Sequence, residues 1–148
     1  MDNLMKLYTI GFTKKTAENF FNRLKKAGVK RLIDIRLNNK SQLAGFAKKE
    51  DLIYFLKALC DIDYVHKPEL APTKAILDEY KKNKGDWSVY EEQFLALMQK
   101  RKIEEKCEQD IFHEACLLCS EDTPGQCHRR LVAEYLSQNW ENLEIKHL

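Results

Sequence analysis

What this chain lacks narrows it first. No apolar run comes near the roughly 18 to 20 consecutive residues that span a bilayer, so no membrane-crossing helix is expected. The opening, MDNLMKLYTIGF, has neither the basic start nor the apolar stretch of a secretory signal. The expected location is therefore the cytoplasm, where thiols are expected to stay reduced. There is no internal repeat, low-complexity tract or long linker. The net charge of only +2 falls short of the strongly basic balance of a dedicated DNA-binding domain.

Several chemical signatures are missing too. No GxxxxGK[ST] phosphate loop occurs, and Gly11 alone is not a dinucleotide fingerprint. The Cys-x5-Arg pattern of a protein phosphatase is absent, because Gly125 stands six residues after Cys119. Cys119, Cys127 and His128, with His66 as a fourth ligand, could surround a zinc ion, but the seven-residue gap between Cys119 and Cys127 matches no standard zinc spacing, so no metal-ligand set is assigned. Nothing indicates a particular cofactor.

What is there fits one soluble α/β domain spanning residues 1–148. Its 148 residues, 44% hydrophobic and 32% charged, suffice to bury a core without metal or disulfide staples. The charge is uneven. Residues 1–74 hold 15 Lys and Arg against 8 Asp and Glu, whereas residues 75–148 hold 10 against 15. A cationic first half suits phosphates or nucleic acid; the same lysines also suit the solvated faces of helices.

The hydrophobic pattern alternates between strands and helices. LYTIGF (7–12) reads as a strand, and TKKTAENFFNRLKKAG carries Ala17, Phe20, Phe21 and Leu24 at helical spacing before Gly28. VKRLIDIR (29–36) reads as a second strand, giving an opening βαβ unit with parallel strands. A helix over KEDLIYFLKALC, a short strand at 62–66 and a helical stretch over 73–106, broken near KNKGDW, follow. FHEACLLCSE supplies a buried strand, DTPGQ a turn, CHRRLVAEYLSQ a helix and LEIKHL a last strand. The expected fold is a layered α/β structure: a mostly parallel sheet of about four to five strands flanked by helices, Rossmann-like or flavodoxin-like.

Such sheets bind ligands beyond the carboxyl ends of their strands. In this chain the chemically loaded residues gather at that rim: Gly11 and Thr13, Asp34 and Arg36, His66 and Glu69, Cys119 and Glu121, then Cys127, His128 and Arg129. Asp34 and Arg36 lie two apart on a strand and share a face. They are either ligand-binding groups or a structural ion pair. Thr13 is either an ordinary helix cap or, with Lys14 and Lys15, part of an anion site.

Cys116 and Cys119 imitate a CxxC, but residues three apart on a strand point to opposite faces, so Cys116 reads as buried filler. Cys127 stands at a helix start beside His128, Arg129 and Arg130, where a thiol is activated. Cys119 is placed to resolve it. The rival reading makes Cys127 a small residue packed at a helix start. Helical spacing puts His128 on the apolar stripe, Arg129 on its flank and Arg130 toward solvent. Glu121 is either a proton carrier or a solvated loop acid. Core packing is the expected role of Phe46 and Tyr64.

TIGFTKKTAENF, RLIDIRLNNKSQLAGFAK, YVHKPELAPTK and CLLCSEDTPGQCHRRLVAEYL together resemble the family called domain of unknown function 488. The likeness runs from Tyr8 to about Leu136. It implies a small cytosolic α/β protein, and it carries over Gly11 and Thr13, Asp34 and Arg36, and Cys127, His128 and Arg129 as the characteristic positions. Where this chain has Phe12, many relatives have His, which argues against a mechanism built on a histidine there.

Three functions remain open. The leading one is an enzyme-like domain binding a small anionic or nucleotide-type ligand. Arg36 and Arg129 would hold the anion, Cys127 would be nucleophile or redox group, and Glu121 or His128 the proton carrier. The second is a nucleic-acid binding or processing module, and the third a non-catalytic interaction domain using residues 75–106.

Overall fold

The computed structural model describes residues 4–38, 45–82, 85–120 and 127–148. Five strands, β1 (Met5–Gly11), β2 (Arg31–Asp34), β3 (Asp63–His66), β4 (Ala115–Cys119) and β5 (Leu143–His147), form one sheet in the order β3-β2-β4-β1-β5. Every pairing is parallel. The helices are α1 (Ala17–Ala27), α2 (Lys49–Phe55), α3 (Lys74–Lys82), α4 (Trp87–Arg101), α5 (Ile103–Lys106) and α6 (His128–Asn139). A π-helical turn over Leu56–Cys60 prolongs α2.

The strand sequences explain the layering. In β4, ACLLC is buried at all five positions, as a central parallel strand covered on both faces must be. Alternation sends Tyr8, Ile10, Leu32, Cys116 and Leu118 to one face, against Phe20, Phe21 and Leu24 of α1 and Leu52 of α2. It sends Leu7, Ile33, Ala115 and Leu117 to the other, against Phe94 and Met98 of α4 and Leu131, Val132 and Leu136 of α6. Cys116 and Cys119 therefore part company, as strand geometry requires.

The opening strand-helix-strand unit is present but split, because β4 lies between β1 and β2. Thr13 does not cap α1. The helix begins four residues later, and Thr16 is its cap, accepting from the Asn19 amide. Gly28 ends the helix at φ +78, a left-handed conformation in which its amide reaches the carbonyls of Leu24 and Lys25. Among the described residues, no helix is long and apolar enough to cross a membrane.

This topology places a crevice. β1 and β2 run on to α1 and α2 on one face of the sheet, whereas β4, between them, runs on to α6 on the other. Chains that leave adjacent strand ends in opposite directions part above the sheet, and ligands of α/β proteins sit in that gap.

Candidate functional site

A cavity of about 370 Å³ lies at this crevice. Arg36, Leu37 and Asn38 enter it from the end of β2, Cys119 and Ser120 from the end of β4, and Cys127 and His128 from the start of α6. Pro72, Leu77, Tyr80, Trp87 and Tyr90 complete the wall. The volume lies within the range of small-molecule sites.

Asp34 and Arg36 form a buried, forked ion pair. Arg36 Nε donates to Asp34 Oδ1 at 2.9 Å and Nη2 to Oδ2 at 2.8 Å, while the Arg36 amide also reaches Oδ1 at 3.1 Å. Tyr64 from β3 donates its hydroxyl to Oδ2 at 2.6 Å. The guanidinium lies over the Phe12 ring, 5.4 Å from its centre, so the ring supplies a cation–π contact from the carboxyl end of β1, at the same rim. Asp34 is fully buried, does not line the cavity, and positions Arg36, which does.

The second half of the site comes from β4 and α6. The structure joins Cys119 and Cys127 in a disulfide, where reduced thiols are the expectation for a cytoplasmic protein. A ring nitrogen of His128 and both sulfurs lie within 4.8 Å of one another. His128 Nε2 stands 2.7 Å from the Ile35 carbonyl, and a carbonyl only accepts, so Nε2 carries the proton. Burial pushes the imidazole down to about 4; the bond to Ile35 opposes this and the Arg129 charge adds to it. Arg129 is not on a flank but buried inside. Its Nη1 donates to Cys119 Sγ and its Nε to Thr9 Oγ1, each at 3.3 Å.

Not every sequence candidate joins the cavity. Gly11 pairs with Cys119 in the sheet register, and Thr13 hydrogen-bonds the Ser120 carbonyl through its amide at 3.0 Å and its hydroxyl at 2.5 Å. These residues pin the β1–α1 loop to the end of β4 and do not line the wall. Glu121 lies outside the described residues. Arg130 is half-buried rather than solvent-facing, paired with Glu134 at 3.0 Å and Glu91 at 3.8 Å. His66 spends its Nε2 on the Arg36 carbonyl, and Phe46 stacks on Phe20 in the core. Cys116 is buried, and burial pushes its thiol up.

Sequence reasoning missed the aromatic wall. Trp87 and Tyr90 stack with ring centres 4.8 Å apart, and Tyr80 packs edge-on against Tyr90 at 5.1 Å. They lie in the acidic helical stretch, about 50 residues from Arg36 in the chain, and their three-residue spacing signals only one helix face. The available signal was the break at Gly85 and Asp86, where Asp86 caps α4 and sets Trp87 at its first turn. Two of the lining residues, Arg36 and Trp87, also carry the two buried side-chain polar atoms that lack a hydrogen-bond partner among the described residues, Arg36 Nη1 and Trp87 Nε1.

A family model described as "Domain of unknown function DUF488" matches residues 16–136. Asp34, Arg36, Cys127, His128 and Arg129 fall inside the match, and Gly11 and Thr13 outside it. No curated protein and no solved structure matches the chain.

Proposed function

We propose that this chain, which belongs to the DUF488 family, binds a small anionic ligand of nucleotide type in the cavity between β2, β4 and the α3–α4 aromatic wall. One observation carries the reading. Arg36 Nη1 and Trp87 Nε1 are buried donors without acceptors among the described residues, and both side chains line that cavity. An orphaned buried donor costs about 1 to 3 kcal/mol, which a ligand oxygen returns when it binds. Arg36 is held by Asp34 with one nitrogen left over, a geometry that suits phosphate or carboxylate. Trp87 and Tyr80, both partly exposed and lining the cavity, offer an aromatic surface to a planar base.

The reactive groups beside such a ligand are the Cys119–Cys127 pair and His128. Turnover of the ligand is accordingly cysteine-dependent, requires the reduced pair and is lost in Cys127→Ser.

Titration of AMP, ADP and inorganic phosphate by calorimetry, with tryptophan fluorescence in parallel, tests the binding. Arg36→Lys keeps the charge beside Asp34 but removes the fork, and is expected to weaken binding about 10- to 100-fold, the worth of a charged hydrogen bond. Trp87→Phe keeps the ring and loses the N–H, and is expected to cost up to about tenfold. The reading fails if none of the three binds at millimolar concentration, or if Arg36→Lys binds as well as the unaltered chain.

A further inference from the structure

We propose that the reduced chain holds a divalent zinc-class ion between Cys119, Cys127 and His128, with its fourth coordination position open to the cavity. The donor set comes first. Two sulfurs and one imidazole nitrogen lie within 4.8 Å of one another. Zinc bonds of about 2.3 Å to sulfur and 2.0–2.1 Å to nitrogen, arranged tetrahedrally, set ligand atoms roughly 3.5 to 4 Å apart. In this structure the two sulfurs are bonded to each other, so reduction comes first and the freed side chains then open to that spacing. Two thiolates with one imidazole select a borderline-soft ion over magnesium or calcium.

The surroundings of these donors are those of a built metal site. His128 Nε2 donates to the Ile35 carbonyl at 2.7 Å, which leaves the lone pair on Nδ1 and fixes the ring. Metal-bound histidines are held this way through the nitrogen that does not bind. Arg129 Nη1 donates to Cys119 Sγ at 3.3 Å, the contact that steadies a thiolate ligand. Cys119, Cys127 and His128 all line the cavity, so a three-ligand ion there faces it. Three protein ligands with one open position is the arrangement of catalytic zinc. The seven-residue gap between the cysteines fits no zinc motif because strand and helix, not a local knuckle, bring them together.

The chemistry balances in two steps. A dithiol reductant breaks the Cys119–Cys127 bond, supplying two electrons and two protons and becoming a disulfide itself. The ion then replaces the two thiol protons, which pass to solvent, so binding tightens as pH rises. Oxidation of the pair removes both thiolate ligands, which makes the site redox-gated. The inference is independent of what fills the cavity, and its test uses the metal alone.

Reduced protein, freed of reductant without oxygen, is titrated with Co²⁺. The expected result is one equivalent bound, with the visible bands of four-coordinate cobalt and a near-ultraviolet thiolate charge-transfer band, both abolished by Zn²⁺. The oxidised protein gives neither. His128→Ala is expected to weaken cobalt at least tenfold, Cys119→Ser and Cys127→Ser to lose most of the charge-transfer band, and Cys60→Ser to change nothing. If a cysteine variant does not fold, the reduced and oxidised forms of the unaltered chain decide the matter. Absence of the charge-transfer band in the reduced chain, its survival in Cys127→Ser, or equal binding by the oxidised form overturns the proposal.

Discussion

Replacing Asp34 by alanine tests whether the site rests on a buried ion pair. Asp34 is 0% exposed and Arg36 3%, and the carboxylate receives four hydrogen bonds, three from Arg36 and one from Tyr64. Without it, the guanidinium stays buried with its charge uncompensated. Breaking such a pair from one side costs about 3 to 5 kcal/mol. That is a large share of the roughly 5 to 15 kcal/mol that hold a domain together. For a chain of this length it lowers the melting temperature by roughly 6 to 20 °C and moves a urea midpoint by about 1 M or more. Arg36→Met removes the other partner and strands the carboxylate instead. The double variant Asp34→Ala/Arg36→Met leaves neither charge buried, so it is expected to be more stable than Asp34→Ala. Urea unfolding of the four proteins, followed by circular dichroism, closes the cycle. A loss below about 1 kcal/mol in Asp34→Ala, or losses that simply add in the double variant, refutes the reasoning.

Two further expectations follow from single residues. His128 is held near 4 in the folded, oxidised chain, against about 6.5 when unfolded, so the unfolded chain takes up its proton first as pH falls. Stability is full above about 6.5, falls by at most about 3 kcal/mol on the way to 4, and is flat below; urea melts of His128→Gln at pH 7, 6 and 5 should lose that slope, and an unchanged slope sinks the account. Gly28 sits at φ +78 with open space where a Cβ would be, so Gly28→Ala meets no clash and is expected to cost only the left-handed backbone penalty of about 1 to 2 kcal/mol, read as a shift in thermal midpoint.

Much of the fold is legible in the sequence for local reasons. Apolar runs such as ACLLC bounded by turns, and apolar positions at 20, 21 and 24, are fixed by backbone periodicity, which neighbours in the chain express by themselves. Helix starts are less legible, because Thr13 and Thr16 offer the same capping chemistry; the chain turns first through Lys14 at φ 62, and Thr16 takes the cap. Arg129 reads as a flank residue by helix spacing alone. Only the position of α6 over β1 and β4 shows that its flank faces Thr9 and Cys119.

By itself, the sequence determined the strands, the helices, the separation of Cys116 from Cys119, and the rim at which Arg36, Cys127 and His128 would meet. Tertiary structure decided the rest. It inserted β4 between β1 and β2, bonded Cys119 to Cys127, tied Arg36 to Asp34, and brought the Trp87–Tyr90 wall across to face them. Periodicity specifies which side of an element is apolar. It does not specify which apolar side it meets, because strand order and helix docking depend on contacts between residues far apart in the chain, and those contacts give the cavity its second wall.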